Sequence, residues 1–225
     1  MKTFLLLAML CATVSSAGAG EDTRRPLRVA FVLSEHFAMI DFAGPWEVFA
    51  DTTLPATSEP GRPAYELYTV AASPTPVHSE GGALLVPQFT FQNAPPPDLI
   101  IIGAQSDHSP MLMSWLERNY KDGVTLASIC LGADQLATAG LLDGRQATTH
   151  HDHVERFRRR FPSVRWLAGR RFVEVGPKLY TAGGLTSGID LALHLVSDQY
   201  GRSAAIKTAQ MMEYSSDAWK ASAAP

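Results

Sequence analysis

Four short apolar runs recur along the chain, separated by more polar stretches of helical composition, and this alternation sets the expected architecture. Residues 27–33, 65–71, 99–102 and 124–129 are rich in β-branched and aliphatic side chains on consecutive positions, the pattern of parallel strands buried on both faces. Between the first two, residues 44–50 carry Pro45 near their start and apolar spacing, which predicts one or two turns of helix. Residues 111–120 have helical composition. Strands alternating with helices predict an α/β domain with a doubly wound, mostly parallel sheet.

The connecting stretches agree. Gly81-Gly82 ahead of residues 83–86 predicts a β-ribbon, and Pro95-Pro96-Pro97 a stiff loop feeding the third core strand. Residues 133–139 read as a helix after the fourth run. Residues 146–150 then read as a strand, and residues 151–161 as a helix stopped by Pro162. A hairpin is expected around Gly176-Pro177. Ser187 with Asp190 three residues on resembles a capping box, opening a helix over 189–200 that is apolar nearly all round and therefore buried. A last helix spans 203–214. Without internal repeats or low-complexity linkers, residues 27–215 read as one domain and 216–225 as a tail.

The N-terminus changes the picture. A positive charge at Lys2, an apolar run over 4–14 and small residues from Ser15 to Gly20 form the order of a secretory signal peptide. Residues 1–19 are expected to be removed, and export to the periplasm or medium follows. The apolar run is too short to span a bilayer, so no membrane association is expected after cleavage. Of two cysteines in 225 residues, only Cys130 survives processing, and no intrachain disulfide can form. Net charge moves from −3 to −4 with the loss of Lys2, too mild to imply a nucleic-acid partner. Arg156, Arg158, Arg159 and Arg160 read as the solvated face of a helix.

In a doubly wound sheet, ligands bind outside the carboxyl ends of the strands, so polar groups just after the apolar runs are the candidates for chemistry. Cys130 lies where a strand turns into a helix with Gly132 close behind, the layout of a nucleophile elbow. The bland alternative is a small buried hydrophobe. As a nucleophile, Cys130 is expected to be acidic, because a helix N-terminus and a cationic His150 lower a thiol pKa by more than a nearby carboxylate raises it. Asp41 reads either as a group that orients substrate or exchanges a proton with the thiol, or as a helix N-cap. His150 reads as a proton carrier or as a strand-end histidine in solvent. Backbone N–H groups of Leu131 and of Gly103 or Ala104 are candidates for an oxyanion hole. No metal is expected at His150-His151-Asp152-His153, because adjacent residues on a strand face opposite ways. No cofactor is expected either, since Gly183-Gly184 lacks the spacing of a dinucleotide fingerprint.

With these residues in hand, the chain resembles the ThiJ/PfpI superfamily of class I glutamine amidotransferase-like, flavodoxin-type folds. The resemblance runs through residues 40–49, 128–133, 139–150 and 182–190. It is most similar to isocyanide hydratases and to the amidase-like N-terminal domains of AraC-type regulators. In the hydratases, as the resemblance implies, a cysteine matching Cys130 attacks the isocyanide carbon and an acid matching Asp41 assists, giving an N-substituted formamide after water adds. Leu131, Ala104 and His151 depart from that pattern, which usually carries Thr, a second Gly and an aromatic residue there. The regulators add a helix-turn-helix domain, which this chain ends before. The resemblance also implies a homodimer, to which apolar residues around Trp46 and Phe49 are expected to contribute. Two functional expectations follow: a small-molecule hydrolase or hydratase using Cys130, and a non-catalytic ligand-binding or redox-sensing module using the same pocket.

Overall fold

The computed structural model describes residues 25–54 and 61–221, so the expected signal peptide lies outside the described residues. In chain order the elements are β1 (Leu27–Val32), α1 (Met39–Ala50), β2 (Tyr65–Ala71), β3 (Val77–His78), β4 (Leu84–Leu85), β5 (Phe89–Thr90), β6 (Leu99–Ile102), α2 (Pro110–Lys121), β7 (Thr125–Ile129) and α3 (Ala133–Thr138). They continue with β8 (Gln146–Ala147), α4 (Val154–Arg160), β9 (Arg165–Trp166), β10 (Phe172–Gly176), β11 (Leu179–Ala182), α5 (Ser187–Tyr200) and α6 (Arg202–Met211). Seven strands form one sheet in the order β10-β11-β7-β6-β1-β2-β5. Every pairing in it is parallel except β10 with β11. This is the doubly wound architecture expected from the apolar runs.

Both faces of the sheet are covered, and the alternation within β1 and β6 assigns each side chain to a layer. Val29, Phe31, Leu99 and Ile101 pack on one face with Val48 and Phe49 of α1 and Leu191 and Leu195 of α5. Ala30, Val32, Ile100 and Ile102 pack on the other with Leu112 and Leu116 of α2, Leu136 of α3 and Phe157 of α4. Full burial of a side chain such as Phe31 or Phe49 contributes about 1.5–3 kcal/mol. Among the described residues, no helix is long and apolar enough to cross a membrane.

Several local expectations are corrected. Helix α1 starts at Met39 rather than near Gly44 and carries Pro45 inside it; local packing tolerates a residue that cannot donate to the Asp41 carbonyl one turn earlier. Phe49 is fully buried and Trp46 packs on Phe31 and Phe42, so these aromatics serve the core and not a free face. Ser187 and Asp190 form no capping box, because Thr186 precedes the helix without a side-chain bond. Asp190 instead lies fully buried beneath Arg171, whose Nε donates to it at 2.6 Å, and accepts from Ser216 at 3.0 Å. Packing also continues past residue 215, since Trp219 lies in the core at 2% exposure.

The elbow is the tightest point of the fold. After β7 the backbone turns through Cys130 at φ 57° into a single 3₁₀ turn, Cys130–Gly132, that leads into α3. A Cβ on Gly132 would stand 2.1 Å from the Ile102 carbonyl oxygen and 2.9 Å from that of Gly103, so only glycine lets the elbow lie against the end of β6. Gly132→Ala is expected to cost more than about 4 kcal/mol, as rigid backbone clashes do. Gly81→Ala, whose nearest neighbour would be Ser79 Oγ at 3.9 Å, should stay within about 0.5 kcal/mol. Urea unfolding of the two variants measures the difference, and equal midpoints would show that the β6 contact imposes no constraint.

Candidate functional site

Strand order places the carboxyl ends of β11, β7, β6 and β1 side by side. The residues that follow those strands therefore meet on one rim, although they are far apart in sequence. Cys130 donates its N–H to the Gly183 carbonyl after β11 at 2.9 Å and accepts at its own carbonyl from Thr149 Oγ1 at 2.8 Å. These two bonds hold the residue in the left-handed region, which costs a non-glycine residue about 1–2 kcal/mol. Gly103, after β6, allows the approach of Asp41 from α1, since a Cβ there would stand 2.6 Å from Asp41 Cβ.

Asp41 is 1% exposed. Its Oδ2 accepts the Ala104 N–H at 3.0 Å, whereas Oδ1 is buried without a partner at hydrogen-bond distance. Burial pushes its pKa up to about 6; the Ala104 N–H, the neighbouring Cys130 thiol and the Leu185 N–H oppose that shift. Cys130 is pushed up to about 12, by burial first and then by the Asp41 charge, with the N–H groups of Leu131 and Leu185 pulling the other way. The expected acidic cysteine is thus corrected. The thiol is 6% exposed, and α3 has only six residues after one 3₁₀ turn, so the favourable dipole is too small to offset desolvation and a carboxylate.

The other predicted residues divide. The Leu131 backbone N–H lies close enough to the sulfur to favour its thiolate. The Ala104 N–H is committed to Asp41, which removes it from that role and makes it the group that positions the carboxylate. Gly103 acts through its missing side chain. His150 does not end a strand: β8 stops at Ala147, and His150 instead caps a 3₁₀ turn, His151–His153, by accepting the Asp152 N–H at Nδ1. No hydrogen bond joins His150 to Cys130 among the described residues. Burial, then the neighbouring His151, lowers its pKa. Its ring lies where a Cβ of Gly184 would stand 2.2 Å away, so it packs against the Gly184-Leu185 loop.

No sequence pattern pointed to Leu185. It adopts φ 52° and turns its N–H toward both Asp41 and Cys130. A leucine carries no sign of such a role, and only the preceding glycine pair hints at a tight loop. The turn also overturns the argument against a metal. Ligand atoms of His150, His151 and Asp152 all lie within 4.8 Å of one another, because a 3₁₀ turn gathers side chains that a strand would separate.

Residues 27–198 match the DJ-1/PfpI family. The chain belongs to that family. Among DJ-1/PfpI relatives, it is 28% identical over 195 residues to the isonitrile hydratase of Pseudomonas putida, covering 83% of this chain and 76% of that one. It is 26% identical over 206 residues to the HTH-type transcriptional regulator GbdR of Pseudomonas aeruginosa, covering 90% of this chain but 54% of the regulator. The chain thus spans about half the length of that regulator. In fold it is similar to a ThiJ/PfpI family protein from Pseudomonas syringae, with a TM-score of 0.72 and 23% identity over 86% of this chain and 77% of that one.

The Asp41 shift has a sign for stability. A carboxyl whose folded pKa of about 6 exceeds its ordinary 3.8 loses stability as pH rises through that interval, by up to about 3 kcal/mol above it. Asp41→Asn is therefore expected to melt higher than wild type at pH 8, with the gap closing as pH falls from about 6 to about 4. The same variant removes the charge that opposes thiolate formation, so Cys130 alkylation by iodoacetamide should begin at lower pH. Thermal melts and a labelling titration measure the two effects. A variant that melts lower at every pH and labels like wild type would contradict the electrostatic account.

Proposed function

We propose that this DJ-1/PfpI protein is a cysteine-dependent hydratase or hydrolase acting on a small amide-, nitrile- or isocyanide-like molecule. The observation that carries the reading is the buried Asp41–Cys130 pair with the Leu131 and Leu185 N–H groups turned toward the sulfur. With a pKa of about 6, Asp41 is ionised at neutral pH and can take the thiol proton as sulfur attacks an electrophilic carbon. That proton then passes to the substrate while the N–H groups stabilise developing negative charge. Water adds to the same carbon, the carbon–sulfur bond breaks, and sulfur recovers a proton. The net change is addition of water, or hydrolysis where an amine leaves. Leu185, whose N–H acts on both groups, has an exposed apolar side chain, which suits a substrate with an apolar substituent.

A panel of such substrates against wild type, Cys130→Ala and Asp41→Asn tests the proposal. Turnover is expected to vanish in both variants and to rise in wild type as pH passes upward through about 6. A second reading, ligand binding or redox sensing without turnover, draws support from a thiol that rests protonated and covered, and from regulators among the relatives. Ligand binding that persists in Cys130→Ala with no turnover in wild type would favour it.

Leu131 bears on substrate choice. A hydroxyl at that position could hydrogen-bond a developing charge, and losing such a bond costs on the order of 3 kcal/mol of transition-state stabilisation. Wild type is therefore expected to be slow on cyclohexyl isocyanide and Leu131→Thr to be faster. Fast, Cys130-dependent formamide production that falls in Leu131→Thr would overturn this.

We further propose that the protein is exported, from the charged, apolar and small-residue order of its N-terminus, and that it pairs with a second copy, from the family resemblance. Cell fractionation and light scattering test these two proposals. Unprocessed cytoplasmic protein would contradict the first, and a monomer at micromolar concentration the second.

A further inference from the structure

The 3₁₀ turn beside the site holds a second cluster of reactive side chains that the thiol chemistry does not use. His151 and Asp152 are exposed and His150 is half-buried. Ligand atoms from all three lie within 4.8 Å of one another. The His150 and His151 ring centroids lie 4.4 Å apart with the rings tilted by 32°, and His151 Nε2 stands 3.1 Å from Asp152 Oδ1. Metal–ligand bonds of about 2.0–2.1 Å at tetrahedral angles put ligand atoms about 3.3 Å apart, so one pair already has that spacing. The remaining adjustment falls on exposed side chains. The Asp152 N–H bond to His150 Nδ1 is long at 3.3 Å, and a cation that displaced it would take little from the turn.

The geometry points to a transition-metal site at His150, His151 and Asp152. Two imidazoles and one carboxylate suit zinc, nickel or copper, whereas calcium and magnesium favour all-oxygen sets. Three protein ligands leave a fourth position open. A cavity of about 310 Å³, lined in part by His150, His151, Arg170 and Arg171, adjoins the cluster, so water or a small anionic ligand can reach that position. The three ligand residues make no hydrogen bond to Cys130 among the described residues; the two sites are linked through His150 against Gly184 and through Thr149, whose Oγ1 donates to the Cys130 carbonyl.

Titration of tag-free full-length protein with Co²⁺, read by its visible absorption, and competition with Zn²⁺ test the inference. One saturable site is expected. Affinity should fall by about tenfold or more in His151→Ala and in Asp152→Asn, whose exposed positions spare the fold, and should be unchanged in Cys130→Ser. Absence of a saturable one-to-one site would overturn it, as would binding that survives in the His151→Ala, Asp152→Asn double variant. Binding lost in Cys130→Ser would overturn it too, by assigning the metal to the thiol.

Discussion

The site depends on how closely the elbow after β7 is pressed against the end of β6. With Gly132 against the Ile102 carbonyl, the chain cannot relax outward. Cys130 is left to absorb the turn at a positive φ, held by its bonds to Gly183 and Thr149. Strained conformations of this kind persist only where neighbouring structure over-determines them, and here β6, β8 and β11 all contribute. The same approach brings Gly103 under Asp41. One steric constraint between two parallel strands thus places the Cys130 thiol, the Asp41 carboxyl and the backbone N–H of Leu131 within reach of one another.

Burial then sets the chemistry of the pair. Taking a carboxyl and a thiol out of water disfavours the charged form of each, and their proximity disfavours charging both. Asp41 remains the easier of the two to ionise because a carboxyl is intrinsically far more acidic than a thiol, and the Ala104 N–H on one of its oxygens adds to that difference. The resting state is therefore a carboxylate beside a protonated thiol. A proton can move between them only as charge develops elsewhere, which ties thiol reactivity to an occupant of the site. Such gating suits an enzyme that must spare its thiol from oxidation, and equally a sensor that responds to a ligand. The relatives of this chain include an isonitrile hydratase and HTH-type regulators.

The four apolar runs located β1, β2, β6 and β7 within a residue or two, because strands buried on both faces need unbroken apolar sequence and little else does. Cys130, Asp41 and Leu131 were legible as candidates by their places just after those strands. Sequence could not decide what tertiary contacts decide. Thiol acidity depends first on burial, which the sequence does not show, and the expected help from a cationic His150 is absent, so weighing the helix N-terminus and His150 against the carboxylate predicted the wrong direction. Gly103 or Ala104 was read as an oxyanion donor because the pair follows β6, but the Ala104 N–H is taken by Asp41. His150 and Leu185 exchanged importance for the same reason: an ionisable ring advertises chemistry in a sequence and a leucine backbone does not, whereas loop geometry selects the backbone. Local patterning determined the strands and the strand-end residues, since these follow from apolar periodicity along a few neighbouring positions. Which of those residues touch, and which way their protons lean, was decided by packing between segments distant in the chain.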